Sequence, residues 1–172
     1  MAVTTGPPMP GGQVAGRDAV GRFAALCRAG GLRVVLTNGC FDVLHRGHVD
    51  YLAGARALGD VLIVGLNSDD GVRHRKGPGR PVNTAADRAA VLAALRCVSY
   101  VTEFGEDTAA ELVAATRPHV YVKGGDYREE SLPEAAVARQ FGARVVILPF
   151  VPGHSTTATL DRLSTAVTRH PD

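Results

Sequence analysis

Arg33-Val34-Val35-Leu36-Thr37-Asn38-Gly39-Cys40-Phe41-Asp42-Val43-Leu44-His45-Arg46-Gly47-His48 is the stretch on which the fold turns. Residues 33–37 are rich in β-branched side chains and read as a buried strand. A helix is expected from His48 to Leu58, with Tyr51, Leu52, Ala55 and Leu58 recurring at helical spacing and Gly59 closing it. His45 and His48, three apart at a helix start, share one side of the first turn. Gly47 between them leaves room for a ligand near the backbone. Unpaired N–H groups and the positive end of the helix dipole favour an anion there, and imidazole N–H donors suit a phosphoryl group. Two ordinary surface histidines, or half of a metal site lacking a third ligand cluster, are the competing readings.

Outward from this stretch, strands and helices alternate. Val61–Leu66 is almost wholly apolar, as a strand covered on both faces should be. A polar, basic loop is expected from Asn67 to Val82. Thr84 caps a helix with Asp87 in the capping-box position. Short strands at 100–102 and 120–122 flank a helix at 108–116. A helix with Pro133 in its first turn runs to Phe141, Arg144–Leu148 is the last strand, and Ser155 opens a final helix with Leu160, Leu163 and Val167 on one stripe. Upstream, Asp18 opens a helix that reaches about Cys27. The pattern predicts an α/β fold: a single Rossmann-like domain over residues 17–170, with a parallel five-stranded sheet and helices on both faces. Residues 1–16, rich in Pro and Gly, are expected to form a flexible leader. In such a sheet, ligands bind beyond the carboxyl ends of the strands.

Composition excludes several classes. The chain has 172 residues, 45% hydrophobic and 21% charged, with a formal charge of +2. That balance argues against nucleic acid and membrane surfaces as partners. No apolar run approaches the ~20 residues of a bilayer span, and no secretory leader is evident. The cysteines Cys27, Cys40 and Cys97 form no CxxC pair, which points to a reducing compartment, the cytoplasm. No GxGxxG follows the first strand, which disfavours a nicotinamide-dependent oxidoreductase.

His45-Arg46-Gly47-His48 matches the HxGH motif of the nucleotidyltransferase superfamily, and the longer string Thr-Asn-Gly-Cys-Phe-Asp-Val-Leu-His-x-Gly-His resembles the bacterial heptose 1-phosphate adenylyltransferases. Further similar segments follow in order: Asn67-Ser68-Asp69, Arg80-Pro81-Val82-Asn83 leading to Arg88, Val122-Lys123-Gly124-Gly125-Asp126-Tyr127, and Gly153-His154-Ser155-Thr156-Thr157. The resemblance spans about residues 18–165. It implies transfer of AMP from ATP to a sugar 1-phosphate, giving an ADP-sugar and pyrophosphate. A stand-alone enzyme is implied, with magnesium accompanying ATP and a separate sugar kinase supplying the acceptor; a homo-oligomer is also expected. A cytidylyltransferase acting on glycerol 3-phosphate or a similar small phosphate is the nearest alternative. A non-catalytic nucleotide-binding module is the alternative of another class, although both the histidine pair and the Ser-Thr-Thr segment are intact.

The expected catalytic residues are His45, His48, Lys76 and Arg88. The histidines would stabilise the pentavalent α-phosphate, while Ser155, Thr156 and Lys76 would hold the β- and γ-phosphates. Nucleotide contacts are expected from Asn38, Gly39, Cys40, Phe41, Gly47, Arg88, Gly153 and Thr157, with residues 150–154 covering the adenine by resemblance. Asp42, Asn67, Asp69, Lys123, Gly124, Asp126 and Tyr127 are expected on the acceptor side. The basic run 73–80 could close over polyphosphate as a lid. Asp42 reads equally as a buried orienting carboxylate or a magnesium contact. Arg88 lies on an apolar helix stripe, so it must be paired, with Asp42 or Asp69, or must reach a phosphate.

Overall fold

A computed structural model of the chain describes residues 11–125, 131–149 and 153–168, with side chains as far as residue 166. The elements are β1 (Gln13–Val14), α1 (Arg17–Ala29), β2 (Val34–Gly39), α2 (Arg46–Arg56), β3 (Val61–Asn67), α3 (Asp69–Lys76), α4 (Ala85–Ala93), β4 (Tyr100–Phe104), α5 (Ala110–Thr116), β5 (Val120–Gly124), α6 (Pro133–Gln140), β6 (Arg144–Leu148) and α7 (Thr156–Thr168). The strands form one sheet in the order β1-β4-β3-β2-β5-β6, and every pairing is parallel.

The sheet has six strands rather than the expected five. The sixth, Gln13–Val14, pairs with Tyr100 and Val101 of β4, inside the stretch read as a leader. Both of its residues are exposed, so no burial pattern marks it in the sequence. The polar stretch after β3 is also partly helical. Ser68 accepts from Gly71 N–H and caps α3, which ends at Gly77 with φ 96°, a conformation that favours glycine.

Period-two alternation divides the core between the two faces of the sheet. Val35, Leu62, Val64, Val101, Val120 and Val122 pack with Leu52 and Ala55 of α2 and Ala89 and Leu92 of α4. Val34, Leu36, Ile63 and Tyr121 pack on the opposite side with Val20 and Ala24 of α1, Leu112 and Val113 of α5 and Ala138 of α6. Burying one such Leu or Val is worth roughly 1.5–3 kcal/mol. The expected stripe of α7 is not sealed, because Leu163 is 56% exposed. Among the described residues no helix is long and apolar enough to cross a membrane.

Chain order reverses between β2 and β5. From β2 the chain builds outward through β3 to β4, then crosses back to lay β5 on the other side of β2. The splayed connections leave a crevice beyond the carboxyl ends of those two strands.

Candidate active site

A cleft of about 900 Å³ occupies that crevice. Its wall includes Asn38 and Gly39 from the end of β2, Lys123 and Gly124 from the end of β5, and His45, Gly47 and His48 at the start of α2. Ser155, Thr156 and Thr157 at the start of α7 complete it on another side. The residues expected at Cys40, Phe41, Asp42, Asn67, Lys76 and Gly153 also line this cleft. Asp126 and Tyr127, together with residues 150–152, lie outside the described residues.

His45 is the N-cap of α2, in extended backbone, and its main-chain N–H donates to Nδ1 of His48 at 3.4 Å. The two rings stack with centroids 3.9 Å apart, and the His154 ring lies near-parallel to His45 at 6.1 Å. Burial pushes the His48 imidazole down to about 4, with neighbouring His45 adding to the effect and Asp42 opposing it. His45 is lowered in the same way, by burial first and then by His154. Both rings are therefore neutral near pH 7, each carrying one N–H donor. The Nδ1 atom of His45 is buried without a hydrogen-bond partner.

Gly47 serves the histidines more directly than it serves a ligand. A Cβ there would lie 3.0 Å from both Cβ of His154 and Cε1 of His45. The missing Cβ leaves room for the His45 imidazole, so glycine is what lets His45 lie flat. Phe41 and Val43, with φ of 46° and 49°, adopt left-handed backbone on the way from β2 to α2. The Phe41 ring meets His48 edge-on at 5.6 Å and occupies the room left by the missing Cβ of Gly39.

Asp42 and Arg88 hold this loop in place. The Asp42 side chain is fully buried and accepts from Arg80 Nε at 2.7 Å, Val82 N–H at 2.9 Å and Asn83 N–H at 3.1 Å. Burial alone would raise its carboxyl, but the bonds from Val82, Arg80 and Asn83 hold it below the usual carboxylate range. Both oxygens are committed to residues 80–83, the arrangement of an orienting carboxylate.

Arg88 braces the same loop. Its guanidinium donates to the carbonyls of Asn83, Cys40 and Asn67 and to Oδ1 of Asp69, the last at 2.7 Å. Its side chain is 1% exposed and does not line the cleft. It ties the loops after β2 and β3 together from behind, the place of a residue that organises the site. Asp69 is its partner and likewise does not line the cleft.

At the β5 end, Lys123 Nζ donates to Oδ1 of Asn38 at 3.1 Å, and Tyr121 O–H donates to the same oxygen at 2.6 Å. Burial lowers the Lys123 ammonium, while the charge of Glu134 opposes that shift. Tyr51, which the sequence marks only as a core position, also lines the cleft. Its hydroxyl bonds Thr37 Oγ1 at 2.6 Å and the Val122 carbonyl, and its ring lies where a Cβ on Gly124 would come within 3.0 Å. Glu134 is a second cleft residue the sequence did not single out. The Cys40 thiol points to Oδ1 of Asn67 at 3.8 Å.

At α7, Ser155 Oγ accepts from Ala158 N–H at 3.0 Å, which leaves its hydroxyl hydrogen for a ligand. Thr156 differs from expectation. Its hydroxyl donates to the Asp42 carbonyl at 2.8 Å, docking α7 on the β2–α2 loop, so its main-chain N–H is what it can offer a phosphate. Of the expected cationic lid, Arg80 is spent on Asp42, Arg73 on Asp70, and Arg75 on the Asp107 carbonyl. Lys76 lines the cleft at the end of α3. Among the described residues, no cluster of three His, Cys, Asp or Glu is placed to hold a metal.

A parallel sheet with a switch-point cleft, a stacked histidine pair at one helix start and hydroxyl donors at another defines a nucleotide-transferring site. Residues 36–161 match the cytidylyltransferase-like family model. The chain belongs to that family and is a nucleotidyltransferase. It is 47% identical over 151 residues to the bifunctional protein HldE of Trichlorobacter lovleyi, covering 88% of this chain and 31% of that protein. With the bifunctional protein HldE of Streptomyces coelicolor the identity is 52% over 145 residues, covering 84% and 31%. The chain thus spans about a third of the length of these relatives. Among solved structures, the lipopolysaccharide core biosynthesis protein of Thermoplasma volcanium superposes with a TM-score of 0.58 at 26% identity, over 70% of this chain and 97% of that one.

Proposed function

We propose that the cleft transfers AMP from ATP to a sugar 1-phosphate, heptose 1-phosphate being the acceptor that the likeness to HldE favours, and releases pyrophosphate. One observation carries the reading: a single cleft brings together a neutral histidine pair, a free helix N-terminus and, at a strand end, a lysine. An acceptor phosphate oxygen attacks the α-phosphorus in line. The bond from that phosphorus to the bridging oxygen breaks, and the electron pair leaves on pyrophosphate. The nucleophile is already an anion, so no strong base is needed, and catalysis reduces to positioning and charge stabilisation.

His48 and His45 supply N–H donors to the oxygens that gain charge. The N–H groups of Thr156 and Thr157, the Ser155 hydroxyl and Lys76 hold the leaving phosphates. Lys123, oriented by Asn38, holds the acceptor phosphate. Both oxygens of Asp42 are occupied by Arg80, Val82 and Asn83, and among the described residues no three His, Cys, Asp or Glu are grouped to hold a metal. Magnesium belongs to the triphosphate, and no step here passes through it. We assign the reaction to the cytoplasm, downstream of a sugar kinase. A panel of sugar 1-phosphates and glycerol 3-phosphate against four nucleoside triphosphates, read by pyrophosphate release, tests the proposal. It expects ATP with a sugar 1-phosphate as the best pair, and a preference for CTP with glycerol 3-phosphate would overturn it.

A further inference from the structure

Glu134 is a buried acid that the chemistry above leaves unused. It stands in the first turn of α6, directly after Pro133, and is 5% exposed. Its Oε1 accepts from Ala109 N–H at 3.1 Å, which anchors the carboxyl at the start of α5. Its Oε2 carries no hydrogen bond among the described residues. Yet among the described residues the buried side-chain atoms sealed from solvent without a partner are His45 Nδ1 and Thr102 Oγ1, and Oε2 is not one of them. That oxygen therefore reaches solvent, and Glu134 lines the cleft. The carboxyl is thus anchored through one oxygen and turns an acceptor toward the cleft, where a ligand donor can replace water.

The surroundings indicate which donor fits. Lys123 lines the same cleft, and Glu134 is the strongest charge opposing its burial, with Arg75 working against that effect and Cys40 with it. A phosphoryl group is drawn to Lys123 and repelled by Glu134. The ligand group that meets Glu134 is then a hydrogen-bond donor rather than an anion, and in a phosphorylated polyol the donor close to the phosphate is a hydroxyl.

We propose that Glu134 accepts a hydrogen bond from a hydroxyl of the acceptor beside the phosphate held at Lys123, and so selects polyhydroxylated phosphates. This rests on the reading of the Lys123 end as the acceptor site. A charge-assisted O–H···O bond is strong enough to discriminate, and its loss is a ten- to hundredfold effect.

Glu134→Gln separates this role from structural support, because Gln keeps a carbonyl for Ala109 N–H and replaces Oε2 with an NH2 donor. The variant is expected to keep the wild-type Tm, ATP affinity by calorimetry and inhibition by inorganic phosphate. Its kcat/KM for the sugar 1-phosphate should fall ten- to hundredfold. In the wild type, one member of a series of singly deoxygenated sugar 1-phosphates should lose the same factor, and the variant should be indifferent to that position. Unchanged kcat/KM in Glu134→Gln, or a flat deoxy series in the wild type, would overturn the proposal. A drop in ATP affinity would do so too, by moving the contact to the nucleotide ribose. Should the wild type prefer glycerol 3-phosphate, the sugar assignment fails alone. Propyl phosphate against glycerol 3-phosphate then tests Glu134 in the same way, with loss of discrimination in the variant supporting its role and retention contradicting it.

Discussion

The main-chain N–H of His45 donates to Nδ1 of His48 at 3.4 Å, and that bond decides which nitrogen of His48 carries its proton. With Nδ1 accepting, the hydrogen of the neutral ring sits on Nε2, the atom left to meet a ligand. His48→Ala should lower kcat by ~10²–10³, the scale for one donor lost to a developing oxyanion, with little change in either KM. Steady-state kinetics in both substrates checks this. Near-wild-type turnover would remove the pair from the mechanism.

The same burial predicts an acid-sensitive fold. An unfolded imidazole titrates near 6.5 and folded His48 near 4, so between those values the unfolded chain binds the extra proton. Stability is full above about pH 6.5 and declines as pH falls toward 4, by on the order of 2 kcal/mol for this group. His45, lowered too, adds to the same window. Asp42 acts further down: its stabilisation holds above the ordinary carboxyl value of 3.8 and is lost as pH falls through its depressed folded value. His48→Gln should flatten the Tm–pH curve between pH 6.5 and 4 while the steeper loss below it remains. An unchanged slope in that window would contradict the assignment.

Arg88→Met should unfold the protein readily. It strands three carbonyls and the Asp69 carboxylate, all of which now share one guanidinium. Removing one partner of a buried charged network costs roughly 3–5 kcal/mol. Urea unfolding reads this directly, and a variant within about 1 kcal/mol of wild type would show that the network is not structural.

Lys123→Ala provides the functional contrast. It should remain folded, bind ATP with unchanged affinity when no acceptor is present, and lose ten- to hundredfold in kcat/KM for the acceptor. Calorimetric titration of ATP decides between the substrates, because a folded variant that no longer binds ATP would place the lysine on the nucleotide side.

What the sequence made legible follows from where burial leaves a pattern. Strands such as Val61–Asn67 are covered on both faces and read as unbroken apolar runs. The histidine pair was visible because its spacing and its place after a strand are both local. Arg88 stood out as a charge on an apolar stripe, and its structural alternative, an ion pair with Asp69, is the one realised. β1 left no trace, being two exposed residues whose hydrogen bonds go to a strand more than eighty residues away. Helix α3 was hidden because Val72 is its one buried residue and charge dominates the rest. The bond of the Thr156 hydroxyl and the place of Glu134 were hidden for a common reason: the partners Asp42 and Ala109 are distant in sequence, so the direction of these side chains is a product of the assembled fold.

The most direct test of adenylyl transfer follows two labels through one turnover with heptose 1-phosphate. ATP labelled at the α-phosphorus should place its label in the sugar nucleotide, ATP labelled at the γ-phosphorus should place its label in pyrophosphate, and His48→Ala should slow both transfers equally. Label from the γ-phosphorus in the sugar product, or α-label released as free AMP without a sugar nucleotide, would contradict the account.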